Sequence, residues 1–314
     1  MKRPVIHSPM NYTGGKARIL PFLLDLFPKE INCFYDMCCG GLNVSLNAES
    51  RRVVANDVNT RLMDIYRNVA SFDSFDSLDK CIRDSIAKYG LHCQTDGDLI
   101  DGVEGTVESV SREGYERLRD AYNSTGDPLL LLVLVFYSFN NCIRFNRQFQ
   151  FNMPIGKSCY NAKNREELMA MHHIVRSRGF EFTSKSFDGF PLDAFNDGDF
   201  VYFDPPYLIT DAVYNESNND ESGWTEKEEA GMYGYIDALD ARGIRFGLSN
   251  AVMNNGKTNG ILDGWMRKYN VFYPDIKYTN ASYQRRNRDS ETVEVYVTNV
   301  KEAVDRRLSQ EILF

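Results

Sequence analysis

Two apolar runs, each stopping near an acid and each followed at once by a helical stretch, constrain this chain more than any other feature. The first is Cys33-Phe-Tyr-Asp36-Met-Cys-Cys-Gly40-Gly41, and Leu42 to Ala48 after it is helical in character. The second is Arg52-Val-Val-Ala-Asn-Asp57, behind which Leu62, Ile65, Tyr66 and Val69 recur at helical spacing. Strand, turn and helix in succession build a parallel sheet with crossover helices. The alternation resumes later, with a strand at Asp199–Asp204, a helix at Lys227–Ala241, a strand at Ile244–Asn250, a short helix at Leu262–Tyr269 and an alternating, edge-capable strand at Thr292–Thr298. In open parallel sheets ligands lie beyond the carboxyl ends of the strands, so Asp36, Asp57, Asp204 and the Ser249-Asn250 pair are expected to converge on one edge.

Between these halves the pattern changes. Asp96–Gly105 is acidic and glycine-rich, a surface loop by composition, and Glu113–Tyr122 and Pro128–Phe139 read as helices. Asn140–Lys157 mixes aromatics, asparagines and arginines, which is poor core material and good contact surface. The expected architecture is one α/β domain, residues 1–66 and 179–314, interrupted by a mostly helical module at 67–178.

The net charge of −8 and pI near 5.2 exclude a binder that coats nucleic acid with one global positive field. The average conceals a partition: Asp188–Ala241 holds fourteen acids against the single base Lys227, whereas Asn140–Phe187 holds eight bases against three acids. The seven cysteines show no paired CxxC spacing, which fits neither a disulfide framework nor a zinc site, and no metal is expected. The longest strongly apolar run, Leu129–Phe136, is too short to span a bilayer, and the first ten residues lack a signal-peptide core. A cytoplasmic location is the expectation.

The sharpest chemical motif is Asp204-Pro205-Pro206-Tyr207, directly after a strand. Two prolines remove two backbone donors and fix φ, so an acid, a carbonyl and an aromatic ring are held together by a rigid turn. That set suits a planar base with an exocyclic amine. The carboxylate and the Pro205 carbonyl accept its two N–H protons while Tyr207 stacks on its face, favouring the pyramidal, nucleophilic nitrogen that attacks an electrophilic methyl. The competing reading is a tight turn after a strand. Tyr12-Thr-Gly-Gly-Lys16 is not a P-loop, because GxxxxGK[ST] spacing is absent. Lys16 there either meets a carboxylate or is solvated. Asp36 with Gly40 and Gly41, then Asp57 at the next strand end, suits the ribose of a nucleoside cofactor. GxGxxG is missing, which argues against NAD and fits adenosine without phosphate, as in S-adenosyl-L-methionine.

In order along the chain, these boxes resemble the Dam-type (D12 class) adenine-specific N6 DNA methyltransferases, including those of type II restriction systems. Tyr12–Lys16 is similar to the family's aromatic-x-GGK box and Asp36–Gly40 to its cofactor loop. Asn56-Asp57-Val-Asn59 is similar to its acidic strand end, and Asn140–Asn146 with Phe151–Gly156 to its hairpin. Asp204–Tyr207 is similar to its catalytic box, and Leu248–Asn250 and Glu294–Asn299 to its closing strands. The resemblance implies a Rossmann-like S-adenosyl-L-methionine-dependent methyltransferase sheet with an inserted target-recognition domain. It implies cofactor contacts from Tyr12, Lys16, Asp57 and Asp204, a pocket shaped by Asp36 and Gly40, and a DNA-contacting hairpin at about 139–157. Arg144 is the candidate for reading a guanine edge, with a phosphate contact as its rival. Phe139, Asn140, Cys142 and Asn146 are expected near the flipped base or its vacated stack. Arg147, Arg285, Arg286 and Arg288 are expected on DNA, the last three as phosphate contacts or else as a solvated charge run. Met37-Cys38, Leu42 and Asn141-Cys142 depart from the family pattern, so the cofactor loop differs in shape and the target need not be GATC. The implied substrate is double-stranded DNA, for a monomer or weak dimer, with a cognate restriction endonuclease as an optional partner. Cytosine N4 or RNA adenine methylation, or a catalytically inactive nucleic-acid-binding module, are the alternatives.

Overall fold

The computed structural model describes residues 5–12, 14–94, 107–210, 224–274 and 292–304. After a 3₁₀ turn at Lys16–Arg18 and helix α1 (Leu20–Leu26), the chain runs through β1 (Cys33–Asp36), α2 (Asn43–Asn47), β2 (Arg52–Asn56) and α3 (Thr60–Ser71). Next come α4 (Phe75–Tyr89), β3 (Cys93–Gln94), α5 (Val107–Thr125), α6 (Pro128–Tyr137), β4 (Tyr160–Asn161) and α7 (Ala162–Ser177). The remainder holds β5 (Phe180–Thr183), β6 (Phe200–Phe203), α8 (Glu226–Ala241), β7 (Arg245–Asn254), β8 (Lys257–Thr258), α9 (Gly260–Met266), β9 (Asn270–Phe272) and β10 (Thr292–Thr298).

The main sheet has the order β5-β2-β1-β6-β7-β10-β9, parallel from β5 through β7, with β10 antiparallel to both its neighbours. The chain leaves β1 for β2 on one side and returns to β6 on the other, so the strand order reverses beside β1, the position at whose carboxyl ends open α/β sheets bind their ligands. Both faces are covered, which is why these strands read as continuous apolar runs. Phe34, Val53, Ala55, Phe200 and Tyr202 enter the core shared with α1 to α7. Their alternate neighbours Cys33, Val54, Val201 and Phe203 enter the core under α8 and α9.

The helix between Asp127 and Ser138 shows how local sequence and packing agree. Pro128 occupies the first turn, where a missing N–H costs nothing, and the Asp127 side chain caps the Leu129 amide at 2.9 Å. Leu131 to Tyr137 are all buried, because α6 lies among α3, α4 and α5. The helix ends at Tyr137, earlier than Phe139, because Ser138 is extended and Phe139–Asn141 forms a separate 3₁₀ turn with Asn140 at φ 55°.

Other expected boundaries also move. The α9 helix stops at Met266. Strand β7 runs past Asn250 to Asn254, where Asn255 and Gly256, both at positive φ, turn the chain into β8. The expected edge strand β10 is interior, paired to β7 and β9, and from Val295 to Thr298 it is buried without alternation. The loop Asp96–Gly105 lies outside the described residues. Among the described residues no helix is long and apolar enough to cross a membrane, and all seven cysteines are free thiols.

Candidate active site

Register fixes the site. Asp36 pairs with Ala55 and Tyr202 in its neighbouring strands, and Phe203 pairs with Leu248. Asp36, Asp57 and Asp204 therefore leave three adjacent strands at one edge, as expected, and Ser249 stands level with Asp204 although β7 continues beyond it. Its hydroxyl shares a 2.7 Å hydrogen bond with the Tyr202 hydroxyl.

Gly40 is the hub of the turn after β1. Its N–H donates to Asp57 Oδ2 at 3.0 Å, and its carbonyl accepts from the Tyr66 hydroxyl at 2.7 Å. It lies at φ +42°, and a Cβ there would fall 2.7 Å from the Tyr12 ring. The Tyr12 segment reaches this point because asparagines of α2 hold the irregular stretch before it. Asn47 exchanges hydrogen bonds with the Ile6 backbone, and Asn43 Oδ1 accepts from the Ser8 amide at 3.1 Å. Asp57 Oδ1 accepts from the Asn59 amide at 2.9 Å. Asp36 Oδ2 accepts from the Ser45 hydroxyl at 2.6 Å, while Oδ1 is buried with no partner among the described residues. Burial lifts the Asp36 carboxyl to about 7 and the Asp57 carboxyl to about 6.

Lys16 joins the N-terminal box to the turn after β6. Its side chain is 4% exposed, and Nζ lies 2.7 Å from Asp204 Oδ1, itself on a side chain 16% exposed. Nζ also donates to the Gly14 carbonyl at 2.7 Å and lies 4.9 Å from the centre of the Tyr207 ring. Between a meeting with a carboxylate and solvation, the structure gives the former. Burial raises Asp204 to about 6 even though Lys16 pulls it down. Pro205, Pro206 and Tyr207 are buried, with Tyr207 and Ile209 packed on Ala251 and the Ile209 carbonyl accepting from Asn254 Nδ2 at 3.1 Å.

Two supporting residues escaped the sequence reading. Glu229 is fully buried and accepts from Trp224 Nε1, Tyr233 Oη, Asn250 Nδ2 and Asn259 Nδ2, at 2.5, 2.5, 3.0 and 2.7 Å. It ties the start of α8 to the stretch of β7 that supports Tyr207. A signal was present: Glu229 falls on the same helical stripe as Met232, Tyr233 and Ile236, one turn and more of apolar side chains. Arg178 caps the end of α2, donating to the carbonyls of Ser45, Leu46 and Ala48 and to Ser50 Oγ. That fixes the helix whose Ser45 holds Asp36.

The hairpin is irregular, with antiparallel bridges only at Ser138–Ile155 and Phe145–Phe151 among its described residues. Phe139 is 53% exposed. The Asn140 carbonyl accepts from Asn11 Nδ2 at 2.9 Å, bringing the hairpin beside the N-terminal box. Cys142 is half-buried. Arg144 is exposed and braced, Nε donating to Asn152 Oδ1 at 2.9 Å and Nη2 to its carbonyl at 2.7 Å. Asn146, expected near the flipped base, accepts at Oδ1 from the Gln148 and Gln150 amides at 2.9 Å each. Arg147 is exposed. A groove of ≈ 470 Å³ between α5 and the hairpin is lined by Arg119, Asn123, Asn146, Gln150 and Asn152 among others. Arg285, Arg286 and Arg288 lie outside the described residues.

The family model for D12 class N6 adenine-specific DNA methyltransferases matches residues 12–288. Modification methylase StsI of Streptococcus sanguinis is 34% identical over 298 residues, 94% of this chain and 43% of that protein. Type II methyltransferase M.FokI of Planomicrobium okeanokoites is 31% identical over 296 residues, 94% of this chain and 43% of that protein. The chain thus spans less than half the length of these relatives. DNA adenine methylase of Escherichia coli K12 is 24% identical over 245 residues, 77% of this chain and 79% of that protein. The family match takes in the N-terminal box, the glycine turn, the hairpin and Asp204–Tyr207 together, and the chain belongs to the D12 class of N6 adenine-specific DNA methyltransferases.

Proposed function

We propose that this chain methylates the exocyclic N6 of an adenine flipped out of double-stranded DNA, using S-adenosyl-L-methionine. The observation that carries this reading is the buried Lys16–Asp204 pair beside Tyr207, which places a carboxylate, a proline carbonyl and an aromatic ring at the carboxyl edge of the sheet. When bound, the cofactor supplies an electrophilic methyl. The residues fit it: an Asp36 oxygen is buried without a partner among the described residues, and Gly40 lies where any side chain would displace Tyr12. Tyr12, Lys16, Asp57 and Asp204 would hold that group, and Asp36 and Gly40 would shape its pocket.

Asp204 and the Pro205 carbonyl accept the two N6 protons, which draws the amine from planar toward pyramidal and frees its lone pair. Pro206 keeps the turn rigid, Tyr207 stacks on the adenine, and the surplus proton leaves to solvent. Residues 67–178 form the target-recognition insertion on the 1–66 and 179–314 catalytic part. Its hairpin at about 139–157, through Phe139, Asn140, Cys142, Arg144, Asn146 and Arg147, contacts DNA, and Arg285, Arg286 and Arg288 bind phosphates. The names of two relatives, a modification methylase and a type II methyltransferase, support a setting in the cytoplasm alongside a restriction endonuclease that shares the site.

Asp204→Ala tests the assignment. Transfer to duplex should fall by more than about 100-fold, the scale set by loss of a transition-state acceptor, while DNA affinity survives. Turnover retained within about tenfold defeats the assigned role.

A further inference from the structure

Phe149 stands at the tip of the hairpin on a backbone that resists it. Its φ is +57°, a region that glycine enters freely and β-substituted residues avoid, and its ring is 38% exposed. The loop enforces this conformation. The Phe149 amide donates to the Asn146 carbonyl at 2.9 Å, the Asn146 amide donates to the Gln150 carbonyl at 2.9 Å, and Asn146 Oδ1 receives the Gln148 and Gln150 amides.

The base of the hairpin is equally fixed. Phe151 is 1% exposed, packs edge-on against Phe145 and Tyr122 at centroid distances of 5.9 and 6.2 Å, and has both backbone groups bonded by the Asn123 carboxamide. An exposed aromatic in a strained conformation on a rigid mount is poor design for stability alone. Around it Arg147, Gln148 and Gln150 are exposed, and the hairpin itself carries no acid between Asn140 and Lys163; Asp120 of α5, in the groove beside Gln150, is accompanied there by Arg119.

The grooves of duplex DNA offer one prominent apolar feature, the C5 methyl of thymine in the major groove, and a glutamine carboxamide beside it matches the N6 and N7 of the paired adenine. We propose that Phe149 is a specificity-determining residue, whose ring packs on the C5 methyl of a thymine flanking the methylated adenine, with Gln148 beside it at the same base pair. The proposal rests on the reading that the hairpin engages double-stranded DNA. Phe149 then reads sequence apart from the machinery that orients the amine.

The test uses the full chain and its Phe149→Gly variant. Glycine suits φ +57°, so the variant should unfold at a temperature equal to or above that of the wild type; a merely structural ring would give the opposite. Duplexes carrying the methylated site, identified by methylation-sensitive sequencing, are made with deoxyuridine replacing one thymine at a time, which removes only the methyl. Wild type should lose about fourfold in kcat/KM at one position, the worth of one buried methyl group. Phe149→Gly should be equally slow on both duplexes there and unchanged in its response elsewhere. No sensitive position in the wild type, or an equal sensitivity in the variant, overturns the assignment. Uniform weakening of the variant on every duplex also overturns it and marks the ring as a stacking wedge. Absence of methylation on any duplex by wild type sinks the parent reading and this one with it.

Discussion

Removing the Lys16 cation should make methyl transfer depend on pH in a way that no loss of packing imitates. In the proposed mechanism Asp204 must be ionised to accept a hydrogen bond from the amine, and burial raises it to about 6 while Lys16, 2.7 Å away, opposes the rise. A cation this close holds a carboxylate down by roughly 1–3 pH units. In Lys16→Met the Asp204 value should therefore climb to somewhere around 7–9. For a value near 8, the ionised fraction at pH 7 drops from about 0.9 to about 0.1, roughly a tenfold loss in kcat. The sign follows from the group: activity is full above its pKa and is lost as pH falls through it. The assay is kcat from pH 5 to 9.5 at saturating duplex and methyl donor, so that weakened cofactor binding does not enter. Wild type should show an acid limb near 6 and the variant a limb displaced upward by 1 or more, with kcat recovering at high pH. A limb left near 6, or a loss equal at every pH, would falsify the role given to Lys16.

Gly40→Ala should destabilise by about 2–4 kcal/mol, combining the cost of a left-handed alanine with displacement of the Tyr12 ring, and should raise KM for the methyl donor. Gly234→Ala in α8, where an added Cβ meets nothing within 4 Å, is the control and should stabilise slightly; equal melting temperatures for the two variants would contradict the hub described for Gly40. Glu229→Gln sets an amide N–H₂ among four donors, and chemical denaturation should register a loss of roughly 2–4 kcal/mol; a loss under about 0.5 kcal/mol would mean that the network is easily re-formed. Because burial raises Asp36, Asp57 and Asp204 to about 7, 6 and 6 when folded, above the ordinary carboxyl value of 3.8, the unliganded chain binds more protons folded than unfolded. Its stability should rise by about 1–2 kcal/mol from pH 8 to pH 6, and a melting temperature that falls over that interval would contradict the burial of these acids.

What the sequence disclosed was local or periodic. Strand ends at Asp36, Asp57 and Asp204 were legible because each apolar run stops at a polar residue, and the turn at Asp204–Tyr207 because proline fixes its own dihedral. The interior position of β10 was not legible: its alternation, Thr292-Val-Glu-Val-Tyr-Val-Thr298, suits an edge, and only pairing with β7 and β9 covers it. Arg178 looks like an ordinary surface charge, since the carbonyls it caps come from a segment distant in sequence, and the apolar stripe around Glu229 marks its burial but not the Asn250 and Asn259 donors that reach it from far along the chain. The part Asn146 takes in closing its loop is set by the Gln148 and Gln150 amides that its side chain bonds, a geometry that no residue pattern announces.

The central claim is that this chain methylates adenine at N6 in duplex DNA. Its most direct test is base analysis of duplex incubated with the full chain and tritiated S-adenosyl-L-methionine, digested to nucleosides. The account predicts that the label appears in N6-methyldeoxyadenosine and is lost with Asp204→Ala. Label in N4-methyldeoxycytidine, or none in duplex while RNA is labelled or DNA is merely bound, would contradict it.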